Sequence, residues 1–209
     1  MVAGEYSNDR KCLRILLEAF CPDMRGRIVE ISDSVRLRQA RSATLTSRIG
    51  TLLRKAHARA ARDDAVLACL FVHEDLDVVD GTAYIEARKR VQAELERASG
   101  FGHYVLAAWE VEAWLIMFPE ALTAHVSAWK LPAKYRKIDT GLLADPKRLL
   151  GDVLGKDGRR YREADAADVL ARAVELGQHV SPQSMNRSWR QLESDAVACC
   201  AAHLPSHRR

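Results

Sequence analysis

The hydrophobic pattern is densest between Val66 and Asp77, which reads VLACLFVHEDLD. Val66, Leu67, Cys69, Leu70, Phe71 and Val72 form an apolar run that stops abruptly at His73, Glu74, Asp75 and Asp77. Apolar residues at successive rather than alternating positions predict a strand buried on both faces, as in parallel sheets. Leu13, Leu16, Leu17 and Phe20 have helical spacing and predict a helix over 9–20, capped by Ser7, Asn8 or Asp9. Arg27 to Ser32 predicts a short strand, and 34–62 one long helix or two, with Gly50 as a break. A Glu- and Arg-rich helix over 83–99 ends at Gly100 and Gly102. A further strand over 104–108 runs into a helix starting near Trp109, and Pro119 starts another. Residues 130–162 are broken by proline and glycine; helices over 164–176 and 188–203 follow, with a frayed tail from Pro205. Strands alternating with helices predict an α/β fold over 1–125, a small, mainly parallel, Rossmann-like sheet flanked by helices. A helical C-terminal extension over 126–209 is expected to pack on it.

Composition narrows this picture only slightly. At 209 residues the chain suffices for one domain with a core, and its net charge of +4 permits a polyanionic partner without requiring one. The five cysteines show no CxxC pair and no repeated spacing, which argues against a zinc site or a disulfide framework and for reduced thiols in a cytoplasm. Cys199-Cys200 reads as small apolar filling of the last helix. No signal peptide, membrane-spanning apolar run or lipidation motif is found, so no membrane partner is expected.

The chemistry gathers at the acids. In open α/β sheets, ligands bind at the carboxyl ends of the strands. Asp75 and Asp77 stand at such an end, and two residues apart in extended chain they point the same way. Paired carboxylates repel, and a hard cation such as Mg²⁺ would hold them together. His73 reads as a packed histidine and Trp114 as core. The basic loop with Lys156, Arg159, Arg160 and Arg162 offers charge for clamping phosphates.

Three acidic positions thus stand in order: Glu5 after a short apolar stretch, Asp75-Leu76-Asp77 after a buried strand, and Glu112-Ala113-Trp114-Leu115 after a later one. This order resembles the TOPRIM fold, the metal-binding domain of topoisomerases, primases and the OLD and RloB types of bacterial nuclease. WEVEAWL is similar to the Glu-x-Trp-Leu signature of small TOPRIM-like proteins of bacterial defence islands. DPKRLL, Tyr161 in a basic loop and Asn186-Arg187-Ser188-Trp189 extend the resemblance over nearly the whole chain. The resemblance implies an Mg²⁺- (or Mn²⁺-) dependent nuclease acting on DNA or RNA. Asp75 and Asp77 would hold the metal, Glu112 would complete its shell, and Glu5 would serve as general acid/base or as ligand to a second metal. It also implies an ABC- or AAA-type ATPase partner in phage defence, since the chain has no GxxxxGK[ST] sequence of its own. A homodimer is left open. The rival expectations are a non-catalytic TOPRIM module that docks on the ATPase or binds nucleic acid without cutting, and, more remotely, a small-molecule phosphohydrolase.

Overall fold

The computed structural model describes residues 1–155 and 158–204. Four parallel strands, β1 (Val2–Gly4), β2 (Glu30–Ile31), β3 (Leu70–Asp75) and β4 (Gly102–Ala107), form one sheet in the order β2-β1-β3-β4. The chain moves outward from β1 to β2, then crosses back to place β3 on the other side of β1. Right-handed crossovers in opposite directions put their helices on opposite faces. Accordingly, α1 (Ser7–Phe20) packs on one face, while α2 (Ser42–Arg62) and α3 (Thr82–Ser99) pack on the other. The order reverses between β1 and β3, and the crevice beyond their carboxyl ends is the expected ligand site.

Alternation along β3 sorts its residues between two cores. Phe71 joins Val2, Val105 and the α1 leucines Leu13, Leu16 and Leu17. Leu70 and Val72 join Ala3, Tyr104 and Leu106 against the apolar residues of α2 and α3. The first core continues without interruption into the extension. There α4 (Glu112–Leu115), α5 (Pro119–His125), α6 (Pro146–Val153), α7 (Ala166–Glu175) and α8 (Arg187–His203) contribute Trp114, Leu122, Leu150, Leu170 and Trp189. The chain is therefore an α/β protein with a helical C-terminal extension. Among the described residues no helix is long and apolar enough to cross a membrane.

Three elements differ from the sequence expectation. The strand expected from Val66 begins at Leu70 and includes the acids Glu74 and Asp75; Val66 is 93% exposed. Ladder partners decide this: Phe71 N donates to Met1 O at 2.9 Å and Leu70 N to Phe101 O at 3.1 Å, with the strand beginning where those partners are met. The helix expected from Ser34 begins at Ser42. Residues 34–41 instead form a loop whose Val35, Leu37 and Ala40 enter the second core. Its Leu37 and Arg38 N–H groups donate to the Glu74 carboxylate, at 2.9 and 3.0 Å, rather than to a helix. Of the five cysteines expected as free thiols, four are paired, Cys21 with Cys200 and Cys69 with Cys199, at Cα separations of 5.9 and 6.6 Å, while Cys12 is a free, buried thiol. The pairs lie 179 and 130 residues apart in sequence, so no local spacing could reveal them. The tail from Pro205 lies outside the described residues.

Candidate metal centre

Asp75 is the last residue of β3 and, by parity with Phe71 and His73, faces α1. The helix α1 starts three residues after β1 ends, so its first turn hangs over the end of β3. That turn carries Asp9, whose Oδ2 accepts a hydrogen bond from Tyr6 N at 3.3 Å, closing the helix start. Beyond β4, the first turn of α4 supplies Glu112. Asp9, Asp75 and Glu112, with Lys147, Glu163 and Tyr6, line a cavity of about 320 Å³ at the carboxyl ends of the strands.

The carboxylates are buried and close enough to feel one another. Burial pushes Asp75 well above the usual carboxylate range, and the charges of Asp9, Glu112, Glu110 and Asp77 push the same way. Burial raises Asp9 to about 6 and, aided by Glu110, Glu112 to about 7. One partner fixes Glu112: the Tyr161 hydroxyl donates to its Oε1 at 2.8 Å. Burial works against the Lys147 ammonium, but Glu112, Glu110 and Glu163 outweigh it and hold the ammonium charged. Its Nζ lies 3.4 Å from Glu110 and 3.3 Å from Glu163.

His73 is fully buried between two of these acids, Nδ1 3.9 Å from Asp9 and Nε2 3.7 Å from Asp75. Neither ring nitrogen has a hydrogen-bond partner among the described residues, nor does Asp75 Oδ1. Burial lowers the imidazole to about 4, so it is neutral at physiological pH. Buried polar atoms left unpaired cost stability, and three of them, on His73 and Asp75, stand together beside this cavity, where a ligand would supply the missing partner.

The expected residues divide between this cavity and its rim. Asp75 and Glu112 line the cavity. Asp77, expected to face the same way as Asp75, does not: the strand has ended, Asp77 adopts φ +62°, and its side chain is 70% exposed, paired with Arg38. Aspartate tolerates this left-handed conformation better than most residues. Glu5 sits at the rim, 3.6 Å from Arg36, its carboxyl raised by burial and by Asp77 and Asp9 against the pull of Arg36. Asp9 joins the expected acids here; it follows Glu5 by four residues, but Glu5 precedes α1, so no sequence periodicity links the two. His73 is packed as expected, fully buried, and shares the parity of Asp75.

Of the basic loop, Lys156 lies outside the described residues. Arg159 pairs with Asp165 and stacks over Trp129, 5.5 Å from the ring centre. Arg160 and Arg162 are exposed on either side of Tyr161, whose bond to Glu112 ties the loop to the cavity. The two tryptophan motifs also meet. Asn186 caps α8 by accepting from Ser188 N and Trp189 N, and the Ser188 hydroxyl accepts from Trp114 Nε1 at 2.8 Å and Ala108 N at 3.1 Å. Trp114 is thus core, and the start of α8 anchors the turn that presents Glu112. Comparison with protein-family profiles, with curated proteins and with solved structures finds no match to this chain.

Proposed function

We propose that this chain is a TOPRIM-type, Mg²⁺-dependent nuclease hydrolysing phosphodiester bonds of DNA or RNA, working as the effector of an ABC- or AAA-type ATPase in phage defence. One observation carries the catalytic part: Asp9, Asp75 and Glu112 converge from three elements on one cavity, with Asp75 Oδ1 unpartnered among the described residues. An all-carboxylate donor set suits a hard divalent cation. Asp75, Glu112 and Asp9 would hold it. Bound there, Mg²⁺ would supply Lewis-acid polarisation of the phosphate and activation of water.

The chain's own groups do the rest. Tyr161 orients the Glu112 carboxylate. Lys147 brings a positive charge to the cavity wall, where negative charge grows during attack on phosphorus. Glu5, at the rim with a raised pKa, accepts or returns a proton. Arg36, Arg160 and Arg162 are exposed and reach flanking phosphates of the strand.

A second reading rests on the rim. Two of the four expected acids, Glu5 and Asp77, are occupied by Arg36 and Arg38. That favours a non-catalytic module which docks on the ATPase or holds nucleic acid without cutting. Incubating plasmid and total RNA with the protein, with and without the ATPase, in Mg²⁺ or Mn²⁺, separates the two. The nuclease reading expects metal-dependent cleavage abolished by Asp75→Asn. Metal binding without cleavage, partner present, would decide for the docking module.

A further inference from the structure

A second cluster of metal-ligating groups sits at the opposite, amino end of the strands. Cys69 immediately precedes β3, His103 is the second residue of β4, and Cys199 comes from α8. Their ligand atoms, two sulfurs and one ring nitrogen, lie within 4.8 Å of one another. Asp75 lies six positions beyond Cys69 along β3, roughly 20 Å of extended chain. The His103 ring stacks on Phe71 with centroids 4.7 Å apart, and its Nδ1 lies 4.0 Å from Asp195 Oδ1, a carboxylate that accepts from Arg88 and Gln191. Asp195 and Cys199 are four residues apart on α8 and share a face of it. Cys69 also lines a cavity of about 400 Å³ with Met1, Leu17, Met24 and Leu204.

A disulfide needs two sulfurs and no imidazole. An imidazole within 4.8 Å of both sulfurs, with a carboxylate 4.0 Å from its Nδ1, is the set a zinc site uses: two thiolates and a histidine as ligands, and an acid near enough to turn towards the ring when the metal binds. We propose that Cys69, Cys199 and His103 form a zinc site whose two thiolates are exchanged, on oxidation, for the Cys69–Cys199 disulfide. The fourth position is left to water. With hydrogen peroxide as the oxidant, the two thiolates give up two electrons and form the S–S bond. The O–O bond breaks, the peroxide takes up two electrons and two protons to leave as two waters, and Zn²⁺ is released. A thiol reductant restores the thiolates. In either state α8, whose first turn holds Ser188 against Trp114, stays fastened to the sheet.

The test uses the full chain, reduced and metal-free, titrated with Co²⁺ and then Zn²⁺. One equivalent of Co²⁺ is expected to give thiolate-to-cobalt charge-transfer absorption, which an all-carboxylate site cannot produce, and Zn²⁺ to bleach it. Cys199→Ser and His103→Ala are expected to abolish tight binding, and Asp195→Asn to weaken it about 10- to 100-fold. Cys200→Ser, which leaves all three proposed ligands in place, is expected to bind as wild type. Peroxide is expected to release one metal per Cys69–Cys199 disulfide formed. The half-buried His103 provides a variant that spares both cysteines should Cys199→Ser fail to fold. No charge-transfer band in the reduced protein, or binding unchanged in His103→Ala, would overturn the proposal and leave a plain disulfide clamp.

Discussion

Replacing Asp9 by asparagine should stabilise this protein, and by a magnitude that follows from its surroundings. Asp9 is only 6% exposed, and burial raises its carboxyl from 3.8 to about 6. A shift of roughly two units corresponds to about 3 kcal/mol spent on keeping the carboxylate ionised above that value. The folded value lies above the unfolded one, so the native state binds the proton more tightly. Wild-type stability therefore falls as pH rises from about 4 to about 6 and levels off above. The amide side chain would keep an oxygen for the Tyr6 N–H and remove the charge. In Asp9→Asn, urea denaturation followed by tryptophan fluorescence should show a gain of about 2–3 kcal/mol at pH 7.5, shrinking below about 1 kcal/mol at pH 4. Saturating Mg²⁺ should stabilise wild type and leave the variant nearly unchanged. Equal destabilisation of Asp9→Asn at both pH values would refute the reasoning, because Asp9 would then serve only to close the helix start.

Further outcomes follow from single contacts. Tyr161→Phe removes the hydroxyl that opposes the burial-driven rise of the Glu112 carboxyl, so Mg²⁺ affinity by calorimetry should fall about 10-fold at pH 7 and recover towards pH 8.5, where Glu112 ionises regardless. Glu74→Ala strands the Leu37 and Arg38 N–H groups and the Tyr104 hydroxyl, and should cost about 3–5 kcal/mol in urea denaturation, with Glu74→Gln costing less. Ser188→Ala leaves Trp114 Nε1 and Ala108 N without their acceptor and should lower both stability, by about 2 kcal/mol, and metal affinity, because the turn presenting Glu112 loosens.

What could be read from the sequence was whatever depends on near neighbours. The apolar spacing of α1 and the left-handed Gly100 that ends α3 (φ +68°) are local, and each is found close to its expected place. The parity of a strand is local too and relates His73 to Asp75, but it does not extend to Asp77, because β3 ends at Asp75. Where β3 begins depends on Met1 and Phe101, and the loop at 34–41 depends on a carboxylate more than thirty residues away in sequence. Asp9 becomes a site residue only because α1 leaves β1 at an angle that carries its first turn over β3. The cysteine pairs join the ends of elements brought together by the extension.

On the proposed function, a hard divalent cation is held inside the cavity by Asp75, Asp9 and Glu112 and not at the rim by Asp77. Calorimetric titration of Mg²⁺ and Mn²⁺ into wild type, Asp75→Asn and Asp77→Asn tests this directly. Saturable binding to wild type is expected, with binding lost in Asp75→Asn and binding in Asp77→Asn within about threefold of wild type, since that side chain is 70% exposed and engaged by Arg38. Binding lost equally in both variants would place the cation at the rim, and no binding to wild type would leave the buried carboxylates without a cation to explain them.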